Sequence, residues 1–139
     1  MNSDSPGSPL SALSPFRCDL REWPQSWMGD ERDLLPGQKL VECFTPFLLH
    51  LAAAGLSKKT IQKHIDHLWL LGGEIIRDLQ ETPKLRKIPV GALIDTVIEY
   101  DGPLLYHCDS EEQQNSFEST CRKLRRFLSE QAKRPLTPP

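Results

Sequence analysis

The stretch SKKTIQKHIDHLWLLGGEIIRDLQ, residues 57–80, decides the fold, because its apolar side chains recur with the period of an α-helix. Ser57 is a favourable N-cap residue. Gly72 falls on the apolar face, where a glycine often marks the close approach of another backbone. We therefore predict a helix from Ser57 to about Gln80. Its buried face is predicted to consist of Ile61, Ile65, Leu68, Trp69, Ile75, Ile76 and Leu79.

The segments on either side of this helix show the same periodicity. It predicts a helix from about Gly37 to Ala54, ended by Gly55 in a left-handed conformation. Pro46 lies inside that helix, so either the helix kinks or Thr45 caps a second helix. A short helix is predicted from Val90 to about Tyr100, and a last one starts at Ser110, which has capping-box spacing with Gln113. No segment alternates as a strand would, so we predict an all-α fold, a compact bundle of four or five helices with disordered termini.

Composition and charge suggest one domain with two loose ends. The 139 residues are 38% hydrophobic and 26% charged, which is ordinary for one globular domain. We predict a flexible acidic N-terminal arm over 1–33, a helical domain over 34–132 and a C-terminal tail over 133–139. Trp23 and Trp27 are expected to pin the arm, in an irregular conformation, to the domain. The charge is uneven, because residues 1–36 carry a net −3 and residues 37–89 a net +3.

The four cysteines are scattered and include no C-x-x-C pair. No apolar run approaches the roughly 20 residues that cross a bilayer, and no secretory signal is visible at the start. These features predict a protein of the reducing cytoplasm with no disulfide and no membrane partner.

Residues with catalytic potential do not form a familiar motif. His64 and His67 are three apart on a helix, but a tight metal site needs three or four ligands, so we interpret them as a polar flank of the helix. The adjacent residues of His107-Cys108-Asp109 point to different sides, and we assign that segment to a loop before a helix. The sequence has no glycine-rich phosphate loop and no G-x-S-x-G. We predict no enzyme activity, no cofactor and no metal.

Two groups of cations remain as candidates for binding. Lysines in the first turns of a helix oppose its dipole, so helix stability does not explain the first group. The second group lies on the last helix, where Arg122 and Arg126 are predicted to point away from the core. A solvated face that only keeps the protein in solution explains both groups equally well. The residues are Lys58, Lys59, Lys63, Arg122, Lys123, Arg125 and Arg126.

Residues 35–79 resemble the N-terminal core-binding (SAM-like) domain of tyrosine recombinases, the phage-integrase family. The resemblance is carried by Phe47-Leu48-Leu49-His50-Leu51, by Gly55-Leu56-Ser57-Lys58-Lys59-Thr60-Ile61 and by the following His64, Leu68 and Leu71. In that family a Ser/Thr-capped helix follows a "GLS" phrase and crosses the DNA. The resemblance implies a non-catalytic domain that binds double-stranded DNA through the seven cations, as an accessory or regulator of a mobile element.

The catalytic residues of that family have no counterpart here. No histidine is followed by arginine in a His-x-x-Arg motif, and the only tyrosines are Tyr100 and Tyr106. We therefore expect no DNA cleavage. Two other interpretations stay open. The same phrase resembles the recognition helix of helix-turn-helix regulators. The chain could instead be a protein-interaction module with a recombinase or another protein as partner, supported by Leu70 and Leu71, which are expected to be exposed, and by the paired tryptophans.

Overall fold

Five α-helices make up most of the computed structural model of this chain. The model describes residues 12–13, 15–16, 19–99, 102–105 and 110–133, and no strand occurs among them. The predicted all-α fold is confirmed. The helices are α1 (Trp23–Trp27), α2 (Leu34–Ala53), α3 (Lys58–Glu81), α4 (Val90–Ile98) and α5 (Glu111–Lys133), with 3-10 helices at Glu31–Asp33 and Pro83–Lys87.

The predicted start of α3 is confirmed in detail. The Ser57 hydroxyl accepts a hydrogen bond from the Thr60 amide at 3.1 Å, which satisfies one of the free N–H groups of the first turn. Gly55 has a φ of +79°, the left-handed conformation expected after a helix. The short connection that results places α2 and α3 against each other.

Helix α2 begins at Leu34, three residues before the predicted start, with Pro36 in its first turn, where a missing amide costs little. The helix runs through Pro46 without a break. The Thr45 hydroxyl donates to the Val41 carbonyl at 2.7 Å inside the helix, so the alternative in which Thr45 caps a second helix is wrong.

The core lies between α2, α3, α4 and α5. Ile65 on α3 and Leu124 on α5 are among its least exposed side chains, as the helical periods predicted. The largest fully buried side chains are Phe44, Phe47, Phe117, Leu40, Leu48, Ile65, Leu68, Leu71, Ile75, Ile76, Leu79 and Ile94.

Trp23 and Trp27 lie on a regular helix, not on an irregular arm. Both indoles are buried, and the Trp27 Nε1 donates to the Trp69 carbonyl at 2.9 Å. Part of the segment expected to be the acidic arm is therefore packed on the domain. The close approach at Gly72 is made by the ring of Trp27, with which a Cβ at this glycine would overlap. The prediction that another backbone approaches Gly72 is wrong.

A buried ion pair fastens this segment to the far end of α3. Asp33 is fully buried and accepts from the Gly29 amide at 2.7 Å, from Gln80 Nε2 at 2.8 Å and from the Arg86 guanidinium at 2.7 Å. Burial by itself raises the pKa of Asp33, but these hydrogen bonds outweigh it and hold the pKa at about 2. Arg86 belongs to the 3-10 helix Pro83–Lys87, which follows α3.

Two residues of α3, Trp69 and Leu71, differ from the prediction in their exposure to solvent. Trp69, expected in the core stripe, is 40% exposed, whereas Leu71, expected on the surface, is buried. Leu71 lies three residues after Leu68 and four before Ile75, so the helical period places it on the same buried face. The Trp69 ring instead reaches the Ser26 hydroxyl of α1.

Several predicted features fall on residues outside the described ranges. They are Tyr100, Tyr106, the segment His107-Cys108-Asp109, the cysteines Cys18 and Cys108, residues 1–11 of the arm and residues 134–139 of the tail. The two described cysteines, Cys43 and Cys121, form no disulfide.

Candidate nucleic-acid interface

Helices α3 and α5 run antiparallel where they touch. His64 contacts Thr120, and Lys123 lies close enough to influence its charge state. One turn further along α3, His67 again reaches Thr120 and packs edge-on against Phe117, three residues earlier on α5. The N-terminal turns of α3 therefore share one end of the molecule with the C-terminal half of α5.

A hydroxyl shared by two histidines joins the helices at this place. The Nδ1 atoms of His64 and His67 each lie 2.7 Å from Thr120 Oγ1, and Thr120 is buried. A hydroxyl has one proton to donate, so it can donate to only one of two neutral rings. The other ring must then carry its proton on Nδ1 and donate to the hydroxyl oxygen.

The electrostatic surroundings keep both rings neutral. Burial lowers the pKa of His64 to about 4, and the nearby positive charge of Lys123, the second histidine and Lys63 act in the same direction. Burial also lowers the pKa of His67, with a further contribution from Lys63 that Asp66 opposes. The interpretation of the pair as a polar flank is wrong for His64, which is 4% exposed. Its position three residues after Ile61 and four before Leu68, both core residues, is the sequence signal for burial that the prediction overlooked.

All seven cations proposed from the sequence lie on the surface. Lys63 of α3 and Lys123 of α5 both lower the pKa of His64. The structure therefore brings the cations of α3 and those of α5 together across the seam, the line of contact between the two helices. Because the helices are antiparallel, Lys58 and Lys59 lie at the same end as Arg125 and Arg126. Arg122 points to solvent on the outer side of α5, as predicted, and has an interaction partner within the protein.

Two open grooves follow α3. The first, with a volume of about 730 Å³, is lined by Pro15, by the lysines Lys58, Lys59 and Lys63, and by Gln62, Asp66 and His67; we call it the lysine groove. The second, of about 940 Å³, lies between α3 and the first turns of α5 and has Trp69, Leu70 and Leu105 among its lining residues; we call it the Trp69 groove. The grooves share Lys63, Asp66 and His67, so they are adjacent along α3.

No group of three or more His, Cys, Asp or Glu residues in the described part of the chain is arranged to hold a metal ion. None of the described helices is both long enough and apolar enough to span a bilayer. Within these ranges, α3 and α5 present exposed positive charge at the lysine groove, beside a groove lined by both aromatic and charged side chains.

Comparison with known proteins found no matching protein family, no similar curated protein and no similar solved structure. The resemblance to recombinase core-binding domains therefore depends on the sequence phrases alone.

Proposed function

We propose that this domain binds duplex DNA, without cleaving it, through the basic end formed by α3 and α5. The observation that carries the proposal is the antiparallel seam at His64 and Thr120, which places cations from two distant parts of the sequence at one end of the molecule. These cations belong to two long helices, so the spacing of their Cα atoms is set before the ligand arrives.

The physical basis is the release of counterions. Each phosphate that a lysine or arginine neutralises frees condensed cations, and the logarithm of the affinity falls by about 0.9 per phosphate for each decade of salt. With about four to six such contacts, we expect the affinity for duplex DNA to fall about a hundredfold or more between roughly 50 and 200 mM salt.

The test is a titration of fluorescently labelled duplex DNA of random sequence across a salt series. Replacing Lys58, Lys59 and Lys63 by glutamine should lower both the affinity at low salt and the slope against salt. The matched control replaces Lys84 and Lys87, two exposed lysines just beyond the opposite end of α3. Absence of DNA retention by the wild-type protein at low salt, or an equal loss in both variants, would refute the proposal.

The absence of DNA cleavage stays a prediction, because Tyr100 and Tyr106 lie outside the described residues. Incubation with a nicked suicide substrate, which traps a covalent tyrosine intermediate, tests it directly. Covalent capture of the protein on that DNA would contradict it. Sequence-specific binding to one operator would instead favour a helix-turn-helix-type regulator.

A protein-interaction module is the second candidate function, and its support has changed. Leu71, Trp23 and Trp27, on which the sequence argument relied, are buried and cannot face a partner. The observation that now favours it is the exposure of Leu104, at 80%, and of Leu35, at 60%. DNA binding that is lost as the salt concentration rises would support the DNA-binding function. Binding of a protein partner through apolar contacts would not weaken in this way, because salt screens only charges.

A further inference from the structure

The exposed indole of Trp69 is held in one orientation. Its Nε1 donates to the Ser26 hydroxyl at 2.8 Å, and that hydroxyl donates to the Trp23 carbonyl at 2.7 Å. The Trp69 side chain is 40% exposed. Because its ring edge is hydrogen-bonded to α1, the ring is already ordered before a ligand packs on it. An ordered aromatic ring in an open groove is a platform on which a planar group can stack.

An unsatisfied polar group lines the same groove. The Ser116 Oγ atom is buried and has no hydrogen-bond partner, although it can both donate and accept. Buried hydroxyls are nearly always paired in native proteins, so an unpaired one that lines an open groove suggests a partner supplied by a ligand. The ligand would therefore combine a flat apolar face with a hydrogen-bonding edge.

The charges favour an anion at the lysine groove, where Lys58, Lys59 and Lys63 outnumber the carboxylate of Asp66. In the Trp69 groove, Lys63 and Arg77 face the carboxylates of Asp66, Glu74 and Glu112, so that groove does not itself attract an anion. Lys63 forms no ion pair with any described residue, and it opens onto the lysine groove. It precedes Trp69 by six residues, about 9 Å along the helix, so an anionic group and a stacked ring can belong to one short stretch of ligand.

We propose that the Trp69 groove accepts an unpaired base of a DNA strand whose phosphates are held at the lysine groove. The base stacks on Trp69 and its polar edge bonds to Ser116. This inference rests on the proposed function and adds to it the substrate class: DNA with a single-stranded end, gap or bulge, in preference to a fully paired duplex. A peptide with an aromatic anchor is the competing occupant.

The experiment compares three DNAs that carry the same phosphates. They are a duplex with an overhang of about four nucleotides, the same duplex with abasic sugars in the overhang, and a fully paired duplex with the same total number of phosphates. We expect the first to bind the full chain roughly tenfold more tightly than the second, since one stacked base contributes about five- to 150-fold in affinity. Tryptophan emission should be quenched by the first DNA only, because only its overhang carries unpaired bases that can stack on Trp69. Trp23 and Trp27 are buried, so the quenching reports on Trp69.

Trp69→Leu should remove both the tenfold preference and the quenching while leaving the affinity for the paired duplex unchanged. Ser116→Ala, which keeps the ring, should lose part of the preference. Leu35→Ala is the matched control, an exposed apolar residue of α2 outside the groove. Melting curves confirm that each variant is folded.

Equal affinity for the normal and the abasic overhang would overturn this inference and leave duplex binding intact. An unaltered preference in Trp69→Leu would overturn it as well. Failure to bind all three DNAs would instead refute the proposed function. If only peptides bearing aromatic residues quench the emission, the groove binds protein and the inference is wrong.

Discussion

Acidification should destabilise this domain through His64 before the carboxyl groups contribute. The pKa of His64 is about 4 in the folded protein, against about 6.5 for an unfolded histidine. Between these two values the unfolded chain binds more protons than the folded one, so stability falls as the pH falls. For one group with these pKa values, the free energy of unfolding drops by about 2 kcal/mol between pH 7 and pH 5. His67, whose pKa is also lowered, adds to the loss.

Urea denaturation followed by circular dichroism at a series of pH values measures this loss. Asp33, with a pKa of about 2, gives up its contribution only below about pH 4 and so does not interfere in this range. His64→Asn is the matched variant, because its amide can still bond to Thr120 but does not titrate. The pH dependence between 7 and 5 should be about 2 kcal/mol weaker in the variant than in wild type. Equal pH dependence in the two proteins would refute the assignment of a buried, neutral His64.

Three further predictions concern the packing. Ile65→Ala should lower the free energy of unfolding by about 2–5 kcal/mol, since truncating a fully buried side chain leaves a cavity; an unchanged melting temperature would contradict the core described here. Gly72→Ala should cost about 1–3 kcal/mol in urea denaturation despite the better helix propensity of alanine, because the new methyl overlaps the ring of Trp27, and a stabilised variant would argue against that contact. Asp33→Ala should cost about 3–5 kcal/mol because it leaves Arg86 as an uncompensated, mostly buried charge; a loss below about 1 kcal/mol would show that water replaces the carboxylate.

The long helices could be predicted from the sequence because local patterns determine them. Ser57 and Gly55 fixed the ends of their segments through hydrogen bonding and backbone conformation, which neighbouring residues alone decide. Helix α1 could not be predicted in this way. It is five residues long and too short to be stable by itself, so its conformation depends on Trp27 filling the space above Gly72. No local pattern encodes such a contact between residues 45 positions apart.

The candidate site was predictable only as a set of charges. Exposure of Arg126 and Lys59 follows from the helical period, and it is confirmed. Their grouping at one end was not predictable, because it depends on the direction in which α5 packs on α3. The shared hydroxyl of Thr120 was missed for the same reason: a threonine in a polar stretch of sequence is recognised as a buried hydrogen-bonding centre only when the partner helix is in place.

The position of the lysines at the start of α3 connects the stability of the helix with its proposed role. Lys58 and Lys59 stand beside the positive end of the helix dipole, an arrangement that costs a few tenths of a kcal/mol per charge at an exposed site. Lys63 and Lys123 also lower the pKa of His64, which shows that positive charge is concentrated at this end of the molecule, where Asp66 is the carboxylate that lines the lysine groove. A phosphate bound there would relieve the repulsion and interact favourably with the amides of the first turn. The same charges that weaken the free helix would therefore strengthen the complex, and duplex DNA at low salt should raise the melting temperature of the wild-type protein more than that of a variant with glutamine at Lys58 and Lys59.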